Sequence, residues 1–156
     1  MRIPEAYFIS HSKRKWVFIV ITIDTARGKI VVEVYPDLAP ITVENFEKLV
    51  KAQFYDGLKF HRVEHWVIQT GDPKGNGTGG PGWTIPLEIA PELKNERGSL
   101  AMARSSHPDS AGSQFYILKV DAPWLDGQYA VFGKVIEGMD VVDQITIGDV
   151  LESAKW

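Results

Sequence analysis

The chain contains no cysteine, which excludes disulfide bonds, thiolate zinc sites and a cysteine nucleophile. It also lacks an excess of charge. Seventeen Lys+Arg against twenty Asp+Glu give a formal charge of -3, so there is no basic footprint for nucleic acid or an anionic membrane. Long apolar runs are missing too. The longest, Val17 to Ile23, is far shorter than the roughly 20 residues a helix needs to span a bilayer. No small-residue cleavage site follows the Ser-Lys-Arg-Lys cluster at 12 to 15, so no secretory signal is expected. What remains is a cytoplasmic globular chain of 156 residues, 44% hydrophobic and 24% charged, long enough to hold a core without staples.

The apolar pattern switches period along the chain. Trp16 to Asp24 and Lys29 to Tyr35 flank a turn at Ala26-Arg27-Gly28 and predict a β-hairpin. Pro40 suits the first turn of a helix, and Val43, Phe46, Leu49, Val50 and Phe54 recur at helical spacing over 40 to 53. Short strands are predicted at Leu58 to Val63, Trp66 to Gly71, Ser99 to Ala103, Ser113 to Leu118, Ala130 to Val135 and Ile147 to Ala154, each bounded by turn residues. A short helix is predicted over Met139 to Ile145. Six of the twelve residues from 71 to 82 are glycine, which requires a long loop. Eight strands, two helices and connections too short for βαβ crossovers imply a mainly antiparallel sheet able to close into a barrel. Residues 1 to 15 read as an N-terminal extension to a domain covering 16 to 156.

Three motifs mislead when taken singly. Gly75-Asn76-Gly77-Thr78-Gly79-Gly80 matches a dinucleotide fingerprint, but Pro81 and Pro86 forbid the helix that would hold the pyrophosphate. Asn76-Gly77-Thr78 is a glycosylation sequon, unused without secretion. His61-Arg62-Val63-Glu64-His65 matches a zinc-protease pattern that needs both imidazoles on one helical face. The glycines on either side favour a hairpin with outward histidines instead. No G-x-S-x-G elbow is present, leaving serine hydrolysis without support.

Several blocks in order do carry a resemblance: Phe60-His61-Arg62-Val63, Val67-Ile68-Gln69, Gly71-Asp72-Pro73, Gly112-Ser113-Gln114-Phe115 and Trp124-Leu125-Asp126-Gly127, with Glu44-Asn45-Phe46 before them and Val131-Phe132-Gly133-Lys134-Val135 after. From about Val17 to Val142 the chain resembles the cyclophilins, peptidyl-prolyl cis-trans isomerases that assist protein folding. The resemblance implies a closed eight-stranded antiparallel β-barrel capped by two α-helices, with no cofactor and no metal. By position it makes Arg62 the catalytic arginine and Gln69 its polar neighbour. It places Trp66, Val67, Tyr116 and Leu125 around a proline pocket, with Gly80, Ala103, Arg104, Ser105, Gln114, Trp124 and Tyr129 along the peptide groove. Proline-containing peptides and unfolded proteins are the implied partners of a monomer. Cyclosporin is a further implied ligand, because Trp124 holds the position whose indole N–H contacts it.

Some positions depart from the family pattern. The link from Arg62 to Gln69 is one residue shorter than usual, and Trp66 stands where phenylalanine is common. Arg104 and Ser105 replace Asn and Ala, and Tyr129 replaces a histidine, as in many bacterial members. With 64 and 65 at a hairpin turn, Arg62 is expected opposite Val67 and therefore on the same side as Gln69.

Overall fold

A computed structural model describes residues 17–156; the predicted extension at 1 to 15 and the start of the first predicted strand at Trp16 lie outside them. Among the described residues nine strands form one sheet: β1 (Ile19–Thr25), β2 (Gly28–Val34), β3 (Leu58–Lys59), β4 (Arg62–Val63), β5 (Val67–Thr70), β6 (Ser99–Met102), β7 (Phe115–Leu118), β8 (Val131–Glu137) and β9 (Val150–Lys155). Helices α1 (Pro40–Lys51) and α2 (Met139–Gln144) pack on it, and a single 3-10 turn covers Pro123–Leu125. The strand order is β3-β9-β1-β2-β8-β6-β7-β5-β4, and every pair is antiparallel.

The expected count of eight strands becomes nine because the predicted strand Leu58 to Val63 is interrupted at Phe60 and His61. Those two residues separate the first and last strands of the sheet. One end of the interrupted strand pairs with β9 and the other with β5, so the sheet curls until its two edges meet in a single stretch of chain. The Thr70 hydroxyl donates to the Lys59 carbonyl at 2.9 Å and stitches the curl.

Both faces of the sheet are covered at β5, β6 and β7. Ile68, Leu100, Met102, Phe115 and Ile117 point into the main core with Ile21, Ile23, Ile30 and Phe132. Their neighbours Val67, Ala101, Tyr116 and Leu118 belong to a second cluster on the other side. Double burial explains why β7 reads Phe-Tyr-Ile-Leu with no polar residue at all.

Helix α1 supplies the plug. Its buried stripe of Val43, Phe46, Leu49 and Val50 sets the Phe46 ring 5.4 Å from Phe115, edge to face, and 5.0 Å from Phe132. Ala39 offers no side-chain cap, and the helix is capped from a distance. The Glu88 carboxylate accepts from the backbone N–H of Ile41 and Thr42 at 3.1 and 2.9 Å, which satisfies two orphan donors and complements the dipole.

Helix α1 also fixes the segment that leads into β7. Asn45 Nδ2 donates to the Gly112 carbonyl at 2.7 Å and the Tyr55 hydroxyl to the Ser113 carbonyl at 2.8 Å. Gly71, with φ +96°, passes so close to this segment that a Cβ would lie 2.5 Å from the Ser113 oxygen. Only glycine fits there.

Three carboxylates are held below their ordinary range. Burial pushes the Asp72 carboxyl up, but four backbone N–H donors, from Lys74, Gly79, Gly77 and Asn76, outweigh it. Hydrogen bonding to Arg97 lowers Asp143, and hydrogen bonding to Arg27 lowers Asp149. Each binds its proton less readily folded than unfolded, so its contribution to stability is complete above the unfolded value near 3.8 and is lost as pH falls through the lower folded value. The melting temperature is therefore expected to hold from about pH 7 to 5 and to fall steeply below about pH 4. Asp72→Asn should melt lower at neutral pH and show a shallower acid limb. Thermal melts across that range check both, and equal acid slopes for the two proteins would contradict the role of Asp72.

Candidate active site

The second cluster forms the floor of a cavity of about 220 Å³ on the outer face of the sheet, lined by Arg62, Trp66, Val67, Gln69, Ala103, Arg104, Tyr116, Leu125 and Tyr129. Strand alternation aims these side chains. In β5, Val67 and Gln69 face outward while Ile68 enters the core; in β7, Tyr116 faces outward between Phe115 and Ile117, which enter the core.

Arg62 and Gln69 are directly opposed across β4 and β5. The expected partner, Val67, instead faces Glu64, whose N–H donates to the Val67 carbonyl at 2.9 Å. The turn is therefore His65-Trp66 rather than Glu64-His65. Slipping the register by two residues preserves the side each residue faces, so Arg62 and Gln69 share a side as expected.

Arg62 is held on three fronts. Nη1 donates to Gln69 Oε1 at 3.4 Å. Nε donates to Glu64 Oε2 at 2.8 Å, with Nη2 2.7 Å from the same oxygen. The guanidinium carbon lies 5.3 Å from the centre of the Trp66 ring. Gln69 is itself anchored, because its amide donates to Gln114 Oε1 at 2.9 Å and the Gln114 amide donates to the Gly79 carbonyl at 2.9 Å. The Asp72 carboxylate gathers the glycine-rich loop that carries Gly79, accepting from the N–H of Lys74, Asn76 and Gly77 at 2.7, 3.1 and 2.6 Å.

The apolar wall is equally fixed. The Tyr116 hydroxyl donates to Asn95 Oδ1 at 2.7 Å, and Asn95 donates to Asp126. Burial pushes the Tyr116 phenol well above the ordinary tyrosine range. The Tyr129 ring meets Tyr116 at 6.1 Å and carries the Arg104 guanidinium at 4.6 Å. Arg104 in turn donates to the Gln128 and Ser105 carbonyls.

A larger groove of about 770 Å³ shares Gln69, Ala103 and Arg104 with the cavity and adds Gly80, Ser105 and Gln114. Trp124 lines neither. It is exposed, with its ring 6.3 Å from that of Trp66.

His61 corrects the reading of two outward histidines. Both of its ring nitrogens are buried without a hydrogen-bond partner, whereas His65 is exposed at the turn. Neither lies on a helix. Among the described residues no group of three or more His, Cys, Asp or Glu is placed to hold a metal ion. No helix there is long and apolar enough to cross a membrane.

Comparison with known proteins shows the family. The sequence pattern of the "Cyclophilin type peptidyl-prolyl cis-trans isomerase/CLD" family matches residues 18–155. The chain belongs to the cyclophilin family. A peptidyl-prolyl cis-trans isomerase of Helicobacter pylori is 48% identical over 139 residues, covering 86% of this chain and 85% of the relative. Peptidyl-prolyl cis-trans isomerase B of Bacillus subtilis is 46% identical over 130 residues, 82% of this chain and 90% of its own. The crystal structure of a cyclophilin-type isomerase from Cryptosporidium parvum superposes with a TM-score of 0.83 at 30% identity, covering 89% of this chain and 97% of that one. The same protein in the presence of the dipeptide Ala-Pro gives 0.82.

Glu64, Asp72 and Asn95 hold this cyclophilin's site together yet were not among its sequence-predicted residues. For Glu64 a signal existed, since residues two apart on a strand share a side. Asn95 reaches Tyr116 from an irregular loop, and no local pattern marks that.

Proposed function

We propose that this cyclophilin rotates X–Pro peptide bonds through Arg62, positioned by Gln69, with the proline ring seated on Val67, Tyr116, Leu125 and Trp66. The observation that carries the proposal is the charged Arg62 guanidinium held at the mouth of a small cavity with an apolar floor. Rotation about the amide faces a barrier of roughly 18–20 kcal/mol because twisting destroys the resonance between nitrogen and carbonyl. No bond need break. Twisting makes the nitrogen pyramidal and returns its lone pair, so a donor aimed there stabilises the transition state more than either planar ground state. With Glu64 on the Nε edge and Gln69 on Nη1, the end of the guanidinium remains for that role. The apolar floor favours the less polar twisted amide. Even a million-fold acceleration requires only about 8 kcal/mol, and such a reaction needs no cofactor or metal.

Gly80, Ala103, Arg104, Ser105, Gln114, Trp124 and Tyr129 extend the site along the groove for the peptide on either side of the proline. The partners are proline-containing peptides and unfolded chains, met by a cytoplasmic monomer. The domain would span 16 to 156, with residues 1 to 15 as an extension.

Arg62→Ala is expected to lower kcat/KM for an X–Pro peptide about 100-fold or more, with the melting temperature within about 2 °C of wild type. An isomerisation assay beside a thermal melt decides it: near-normal activity in a folded variant overturns the assignment.

No histidine lines either cavity, and burial moves the Tyr116 phenol further from neutrality. For an uncharged peptide, kcat/KM is therefore expected to stay flat within about twofold from roughly pH 6 to 8.5. A bell or a tenfold step in that range would require a titrating catalytic group.

The Trp124 ring lies 6.3 Å from that of Trp66, which lines the cavity. Cyclosporin is expected to quench tryptophan fluorescence and to inhibit turnover over the same concentration range. Neither effect at high micromolar ligand would remove cyclosporin as a ligand.

A further inference from the structure

Glu64 stands beside the guanidinium to which catalysis is assigned, and its placement is unusually constrained for a surface carboxylate. Arg62 and Glu64 are each 45% exposed, and ion pairs this open add little to stability. The backbone around Glu64 is nonetheless held on both sides. Its N–H is bonded to Val67 O, its carbonyl accepts from Lys119 Nζ at 2.8 Å, and the Trp66 carbonyl accepts from the Lys119 N–H at 2.8 Å. The turn that would otherwise let Glu64 swing away is thus bonded to the end of β7. One carboxylate oxygen meets the Nε and Nη2 edge of Arg62 at 2.8 and 2.7 Å, while Trp66 lies 5.3 Å from the guanidinium carbon.

Two consequences follow from this contact. A guanidinium bonded to Glu64 along its Nε–Nη2 edge and to Gln69 through Nη1 loses rotamers, so its end is presented to the cavity in one orientation. A carboxylate oxygen less than 3 Å away also offsets the Arg62 charge at the rim, leaving Arg104 as the other cation that lines the cavity. A bare arginine there would draw in peptides with an acidic residue beside the proline and repel basic ones.

Resting on the assignment of Arg62 as the catalytic group, we infer that Glu64 is a positioning residue for Arg62 and sets the charge tolerance of the site. It lowers the preference of the site for an acidic over a basic residue next to the proline.

The test compares wild type, Glu64→Ala, Glu64→Gln and Arg62→Ala on three peptides with Ala, Glu or Lys before the proline. Glu64→Ala is expected to lower kcat/KM on the Ala peptide about fivefold, mostly through kcat. Glu64→Gln keeps a carbonyl acceptor for Nε, so it should recover about half of that loss. Both variants should raise the ratio of kcat/KM for the Glu peptide over the Lys peptide about fivefold at low salt, and about 1 M salt should return it toward the wild-type value. Unchanged ratios in both variants, with Arg62→Ala inactive, overturn the inference and leave the catalytic assignment standing. An Arg62→Ala protein that still turns over normally overturns the catalytic assignment and this inference with it.

Discussion

The two-residue period of a sheet buried on both faces is the constraint on which the rest of this molecule depends. Each of β5, β6 and β7 sends alternate side chains into the barrel and onto the outer cluster. One wall of the core that stabilises the fold and much of the floor that would receive a proline ring are therefore two sides of the same twelve residues. Ile117 cannot settle into the barrel without presenting Tyr116 outward. The site floor costs no separate folding step, and its precision is that of the sheet.

The polar half of the site is assembled differently. Arg62, Gln69, Gln114 and the Gly79 carbonyl form an unbroken chain of hydrogen bonds, which ends in a loop gathered by one buried carboxylate, Asp72. The same loop closes over the 112–114 segment, which α1 fixes through Asn45 and Tyr55. The arginine is exposed, but the groups that hold it trace back to the helix that plugs the core. Rigidity reaches the surface through side-chain amides, Gln69, Gln114 and Asn45, each of which both donates and accepts.

Much of this was legible in the sequence. Alternating and helical periods located every strand and both helices to within a few residues, because those periods reflect burial, which the structure obeys. Blocks such as Phe60 to Val63 and Gly112 to Phe115 supplied the candidate site through resemblance. The register of the β4–β5 hairpin was not legible, since a slip of two residues leaves the apolar pattern unchanged and only the turn distinguishes the two pairings. Nor was the inward ring of His61, at a break in a strand where alternation gives no guidance. The bond from Tyr116 to Asn95 spans 21 residues, and Glu88 caps α1 across 46. Contacts of that reach exist only once the chain has folded.

The curl of the sheet has a meaning for a protein whose proposed substrates are extended chains. An open strand edge offers unpaired N–H and C=O groups to any such chain and invites it to add as another strand. Here the two edge strands are two residues long and consecutive, joined through Phe60 and His61. A client segment would find no ladder to extend. It could bind by its side chains in the groove and leave again, and the barrel would not become the template on which its own clients aggregate.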